Sequence, residues 1–199
     1  YQAPVLQAAL EGATSLLLFP TKALAHDQLR RLRAMAQVLG VEGVFPYDGD
    51  TPSATRRQAR ERGLVLLSNP DMLHYGLLPR HPDWAPFLAR LRYVVLDELH
   101  AYRGVFGTHV ALILRRLLRL ARHYGASPQV LAASATIANA REHAEALTGL
   151  PFEELKAQVA RTERELLVLL PKPLDRRGER RRSPLLEAAY LARRLAEAG

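Results

Sequence analysis

Five short apolar runs set the terms for any fold this chain can adopt. They are SLLLF at 15–19, VFPY at 44–47, LVLLS at 64–68, YVVLD at 93–97 and VLAA at 130–133. Consecutive apolar residues on a strand point to both faces of a sheet. Runs of this kind belong in a parallel sheet covered by helices on both sides. Helical patterns fill the gaps between them. Residues 23–39 repeat apolar positions at helical spacing and stop at Gly40. Residues 52–62 follow Thr51 as an N-cap, carry Pro52 at the first helical position and end at Gly63. Residues 70–78 repeat that grammar behind Ser68 or Asn69, and 107–123 form a long helix that ends near Gly125. Residues 139–147 carry a capping-box pattern, Asn139 with Glu142, and stop at Gly149. The alternation predicts an α/β fold with a mostly parallel sheet flanked by helices.

The pattern changes after Leu150. An apolar run at 166–170 (LLVLL) is followed by Pro171 and Pro173, an arginine run, and a helix pattern from Pro184 onward. The expected organisation is a main domain over 1–150, a boundary region over 151–183 and the start of a second domain over 184–199. The net charge is +8, and +4 of it sits in RRGERRR at 176–182, so charge alone argues only weakly for a nucleic-acid partner. The absence of cysteine removes disulfides and thiolate metal sites and fits a cytoplasmic protein. Seven histidines without paired spacing predict no zinc site. No apolar run approaches the roughly 20 residues of a membrane span, and the opening YQAPVLQAALEG does not read as a signal peptide.

The chemistry concentrates where the fourth run ends, at DELH, residues 97–100. Ligands of open α/β sheets bind at the carboxyl ends of strands. Two acids placed there need a cation or hydrogen-bond donors, because an unpaired desolvated carboxylate is costly. One reading is a pair of acids capping the next helix. The other is a magnesium nucleotide site, in which the first acid holds the metal through water and the second orients an attacking water.

Five blocks in order carry a resemblance that favours the second reading: PTKALAHDQ at 20–28, YDGDTP at 47–52, SNPDMLH at 68–74, DELH at 97–100 and SAT at 134–136. Together they resemble the first RecA-like domain of superfamily-2 DExH-box helicases. The stretch DELHAYRGVFGTHV is most similar to RecQ-like DNA-repair helicases of the mitomycin-repair-factor type. The resemblance implies an ATP hydrolase acting on nucleic acid, DNA more than RNA, with ATP and Mg2+ as cofactors. It assigns Asp97 to the metal and Glu98 to the hydrolytic water and partly to the metal. His100 lies between the nucleotide and SAT, and Ser134, Ala135 and Thr136 couple hydrolysis to the strand. The resemblance further implies that Thr21, Lys22, Thr51, Ser68 and Asn69, at three helix starts, and Gln28, at the end of the first block, face the nucleic-acid backbone. For Arg103 and Phe106 two readings stay open, a DNA-facing loop or a helix start with Phe106 packed inward.

One element of the family pattern has no counterpart. No GxxxxGK[ST] phosphate loop occurs, and Lys22 belongs to a different block. The expectation is that the chain begins inside the helix that follows this loop. The loop, its strand and the second RecA-like domain with its arginine finger would then lie elsewhere in a longer protein, and this segment alone would hydrolyse ATP poorly. Two other classes compete: a non-catalytic nucleic-acid-binding or scaffold module that has lost the loop, and a metal-dependent nuclease built on Asp97 and Glu98.

Overall fold

The computed structural model describes residues 1–135 and 138–155, and the described residues belong to one compact unit, Tyr1–Leu155. The expected boundary region, apart from 151–155, and the expected second-domain start lie outside the described residues.

All five apolar runs form strands: β1 (Thr14–Leu18), β2 (Val44–Tyr47), β3 (Val65–Ser68), β4 (Leu91–Leu96) and β5 (Gln129–Ala132). They make a parallel sheet in the order β2-β3-β1-β4-β5, with Leu16 opposite Leu66 on one side and Val94 on the other. Among the described residues seven α-helices accompany them: α1 (Gln2–Leu10), α2 (Lys22–Val38), α3 (Ser53–Arg62), α4 (Pro70–Met72), α5 (Ala85–Ala89), α6 (Gly104–His123) and α7 (Ala140–Thr148).

The two-residue period of the strands explains why their runs are apolar throughout. Leu16, Leu18, Leu66, Val94 and Leu96 point into one core with Trp84, Phe87, Leu114, Leu117 and Leu147. Leu17, Phe19, Val65, Leu67 and Val95 point into a second core, against Val5 and Leu6 of α1 and Ala25, Leu29 and Leu32 of α2. Helices thus cover both faces, as the sequence predicts. No helix among the described residues is long and apolar enough to cross a membrane.

Three local expectations are corrected. The helix expected over 70–78 is instead the single turn α4, a π-helical stretch Leu73–Leu77 and a 3-10 stretch Leu78–Trp84. Gly76 presses so close to Met72 and Tyr47 that a Cβ there would fall 2.5 Å from Met72 Cε, and Pro79 and Pro82 deny the backbone two donors further on. Thr51 does not cap α3. That helix starts one residue later than expected, with Pro52 at the cap position, because the Thr51 side chain turns back to Asp48. Asn139 precedes α7 but makes no capping hydrogen bond through its side chain.

Helix α6 gives a direct check on the core. Leu114 is 1% exposed and Leu112, two residues away, is 59% exposed. In urea unfolding, Leu114→Ala is expected to cost about 2–5 kcal/mol, and Leu112→Ala to stay within about 0.5 kcal/mol of wild type.

Candidate active site and nucleic-acid surface

The parallel ladder runs one step beyond the strands at their carboxyl ends. The Asp97 N–H donates to Leu18 O at 3.0 Å, that of Ala133 to Leu96 O at 2.9 Å, and that of Leu99 to Ala133 O at 2.9 Å. The buried Tyr102 hydroxyl donates to the same Leu18 carbonyl at 3.2 Å. From α7, His143 Nε2 lies 3.2 Å from Leu99 O. The DELH segment is therefore tied to β1, to the end of β5 and to α7.

The chain must also turn sharply there. Glu98 takes φ 51°, ψ 49°, and among the described residues it is the one non-glycine with positive φ. That conformation costs a non-glycine residue roughly 1–2 kcal/mol. Part of the offset is local, since Asp97 Oδ1 accepts the Glu98 N–H at 3.0 Å. The turn brings three groups together. His100 Nδ1 lies 3.3 Å from Glu98 Oε2 and 3.3 Å from Ser134 Oγ. Glu98, Asp97 and His100 are half-buried, whereas Ser134 and Ala135 are exposed. Thr136 lies outside the described residues.

Asp97 has a partner that the sequence gives no hint of. The Tyr1 hydroxyl, on the residue just before α1, donates to Asp97 Oδ2 at 2.8 Å. Burial, reinforced by that bond and by the charges of Asp97 and Glu98, pushes the Tyr1 phenol well above its ordinary range, so it stays a donor. Burial likewise raises Tyr102, with Asp97 and Glu98 adding to the effect. Each Asp97 oxygen thus accepts one bond, and lone pairs remain on both.

The residues expected to meet nucleic acid divide into two groups. Thr21 caps α2 by accepting from the Leu24 N–H at 3.4 Å, and Asn69 caps α4 by accepting from the Met72 N–H at 2.8 Å. Thr21 and Lys22 are exposed, as is Arg103 at the N-cap position of α6. Phe106 falls inside α6, tilted against Tyr102 with ring centres 5.8 Å apart and 39% exposed. It therefore packs in part on the buried tyrosine. The hydroxyls of Thr51 and Ser68 are engaged within the fold: Thr51 donates to Asp48 Oδ1 at 2.8 Å and Ser68 to Tyr47 O at 2.6 Å. Gln28 accepts from Gln2 of α1 at 3.0 Å, roughly 9 Å along α2 from Lys22 at 1.5 Å per residue.

Asp48 is the organising residue that sequence reasoning passes over. It is 3% exposed. Its Oδ1 accepts from the Asp50 N–H at 2.9 Å and from Thr51, and its Oδ2 accepts from His26 Nε2 at 2.8 Å. Arg56 donates to the carbonyls of Asp48 and Gly49, at 2.9 Å each. Burial raises this carboxyl, but the bonds from His26, Thr51 and Asp50 outweigh it and hold the group below the usual carboxylate range. The spacing of Asp48 and Thr51 is the signal that could have found it, since an Asp with Thr three residues on often closes a loop on itself.

Among the described residues a wide concavity of ≈ 520 Å³, lined in part by Arg33, Gly43 and Arg62, opens at the amino end of β2. The strands are parallel, so it lies at the opposite end of the sheet from the acids.

Residues 1–144 match the DEAD/DEAH box helicase family. The ATP-dependent helicase YprA of Bacillus subtilis (strain 168) is 43% identical over 197 residues, which make up 97% of this chain and 26% of that protein. The ATP-dependent helicase HRQ1 of Saccharomyces cerevisiae is 41% identical over 143 residues, or 69% of this chain and 13% of its own length. Among solved structures, the DUF1998 helicase MrfA bound to DNA and AMPPNP gives a TM-score of 0.85 at 43% identity, covering 98% of this chain and 28% of that one. The chain thus spans only a minor part of the length of each.

The Asp48 network carries a pH signature. A carboxyl held lower in the folded chain than in the unfolded one stabilises above its unfolded value, about 3.9. That contribution is lost as pH falls through the folded value. The stability advantage of wild type over Asp48→Asn should therefore be full near about pH 5 and shrink below about pH 4. A difference that stays constant in acid unfolding measurements contradicts this role for Asp48.

Proposed function

The chain belongs to the DEAD/DEAH box helicase family, and on that premise we propose that it carries the hydrolytic acids and part of the strand-binding surface of an ATP-dependent DNA helicase. The observation that carries the proposal is the position of His100, in reach of Glu98 on one side and of Ser134 on the other. A group that senses an acid beside the nucleotide and a hydroxyl on the next strand end is what coupling of hydrolysis to movement requires.

The acids fit a magnesium nucleotide. Magnesium keeps most of its waters and takes one or two carboxylates together with substrate phosphates. The pair Asp97 and Glu98 offers that number, and Asp97 keeps free lone pairs for a water-mediated hold. When bound, the ion neutralises charge on the phosphate groups during transfer. Glu98 orients the attacking water and accepts its proton. Tyr1 and the Glu98 N–H fix the direction of the Asp97 carboxylate. His100 passes the state of Glu98 to Ser134, with Ala135 and Thr136 completing the coupling segment. The triphosphate cradle of the family has no counterpart among the 199 residues, so turnover belongs to the longer protein.

On the nucleic-acid side, Thr21, Lys22, Asn69 and Arg103 meet the backbone of one strand. Thr51 and Ser68 shape the loops that present it, since their hydroxyls bond within the chain. Contacts of this type neutralise phosphates without reading bases, as a translocating enzyme needs. DNA is favoured because MrfA was solved with DNA bound, and DNA repair is the role that the likeness to the mitomycin-repair-factor type favours.

In the full-length protein, Glu98→Gln is expected to lower ATP turnover by about 100-fold or more while nucleotide affinity stays close to wild type. Normal turnover contradicts the role given to Glu98. His100→Ala is expected to reduce DNA unwinding by a larger factor than DNA-stimulated ATP hydrolysis. Equal losses in the two assays would leave His100 without a coupling role.

A further inference from the structure

The loop after β2 places an acid where the proposed surface needs positive charge. Lys22, the first residue of α2, donates through Nζ to Asp50 Oδ2 at 2.7 Å. Both side chains are open to solvent, 47% and 70% exposed. A pair this exposed adds little to stability, so fold maintenance does not explain it.

Asp50 is nevertheless held in place. Its N–H donates to the buried Asp48 carboxylate, which is itself fixed by His26 and Thr51, and Arg56 secures the carbonyls of Asp48 and Gly49. Gly49 lies against the lysine, its Cβ position 3.4 Å from Lys22 Nζ. The loop is anchored from below and aims its second acid outward at the ammonium.

The choice of cation is informative. Lys22 is the sole lysine before residue 156 in a chain whose other positive charges are overwhelmingly arginine. Arginine grips a carboxylate with a rigid two-pronged fork, whereas lysine presents a compact charge on a flexible stem and exchanges partners readily.

From this arrangement we infer that Asp50 is an internal stand-in for a backbone phosphate on Lys22, closed on the lysine in the free protein and displaced when a single strand binds. The inference rests on the proposed reading that Lys22 faces the strand. Its effect is to weaken a contact on purpose. Every phosphate must compete with a resident carboxylate, so the contact is made and broken as the strand moves. The exchange also lowers the net release of counterions. Lys22 changes one anion for another, and the freed Asp50 recruits a cation of its own.

The test uses the full-length protein without nucleotide and a fluorescein-labelled oligothymidylate of roughly 20 nucleotides, followed by anisotropy over a salt series. Asp50→Asn is expected to bind about three- to tenfold more tightly at low salt. The plot of log affinity against log salt should steepen by roughly 0.7. Lys22→Ala is expected to bind more weakly than wild type, and the gain from Asp50→Asn should be smaller when Lys22 is also alanine. If Lys22→Ala weakens binding while Asp50→Asn leaves it unchanged or weaker, Asp50 merely positions the lysine. The inference then fails and the proposed surface stands. If the gain from Asp50→Asn is the same size without Lys22, the acid repels the strand in general and the exchange is refuted. If Lys22→Ala binds like wild type, Lys22 is off the strand's path, and both the inference and its place in the proposed surface fall.

Discussion

Leu18 supplies the carbonyl on which the site depends. It accepts from the Asp97 backbone and from the buried Tyr102 hydroxyl, one step past the last paired residues of β1 and β4. A strand end would otherwise leave such groups to water, and a buried carbonyl without a partner is expensive. Satisfying it here extends the central ladder into the DELH segment. The acids gain the rigidity of strands while keeping their side chains in the half-buried zone at the carboxyl end. The strained turn at Glu98 is tolerated because its neighbours on both sides are pinned: Asp97 to β1, Leu99 to the end of β5.

This arrangement explains why much of the fold was legible in the sequence. An unbroken apolar run such as LVLLS or YVVLD can be buried on two faces only in a covered parallel sheet, and the five runs up to residue 133 form its strands, whereas LLVLL at 166–170 lies outside the described residues. What escaped depended on contacts from distant segments. β4 begins at Leu91, two residues earlier than its apolar run, because it pairs with β1 across the polar Arg92. The stretch after Asn69 looked like an ordinary helix, yet the fit of Gly76 against Met72 and Tyr47 goes with a wider turn. Thr51 carries a standard capping residue's signature but serves the buried Asp48 instead.

The site shows the same division. The order of blocks singles out Asp97, Glu98, His100 and Ser134 as candidates, and the structure gathers them at adjoining strand ends. The sequence could not show the left-handed turn at Glu98, because glutamate has no preference for it and the conformation is imposed by the flanking ladder. Nor could it show Tyr1 beside Asp97, a contact spanning 96 residues. On the nucleic-acid side, four of the seven named residues, Thr21, Lys22, Asn69 and Arg103, stay candidates for strand contact, while the hydroxyls of Thr51 and Ser68 bond within the fold and Gln28 pairs with Gln2. A hydroxyl at a helix start can cap, bind phosphate or brace a loop, and only the partner atoms decide between them.

The central claim is that the pinned acids at the end of β4 manage a metal-bound triphosphate. Its most direct test is anomalous scattering from crystals of the full-length protein grown with a non-hydrolysable ATP analogue and Mn2+ in place of Mg2+. The account predicts an anomalous peak beside the Asp97 carboxylate, bridged to it directly or by one water, with Glu98 facing the terminal phosphate. A manganese peak on other residues, with the ends of β1 and β4 filled by side chains, would contradict it.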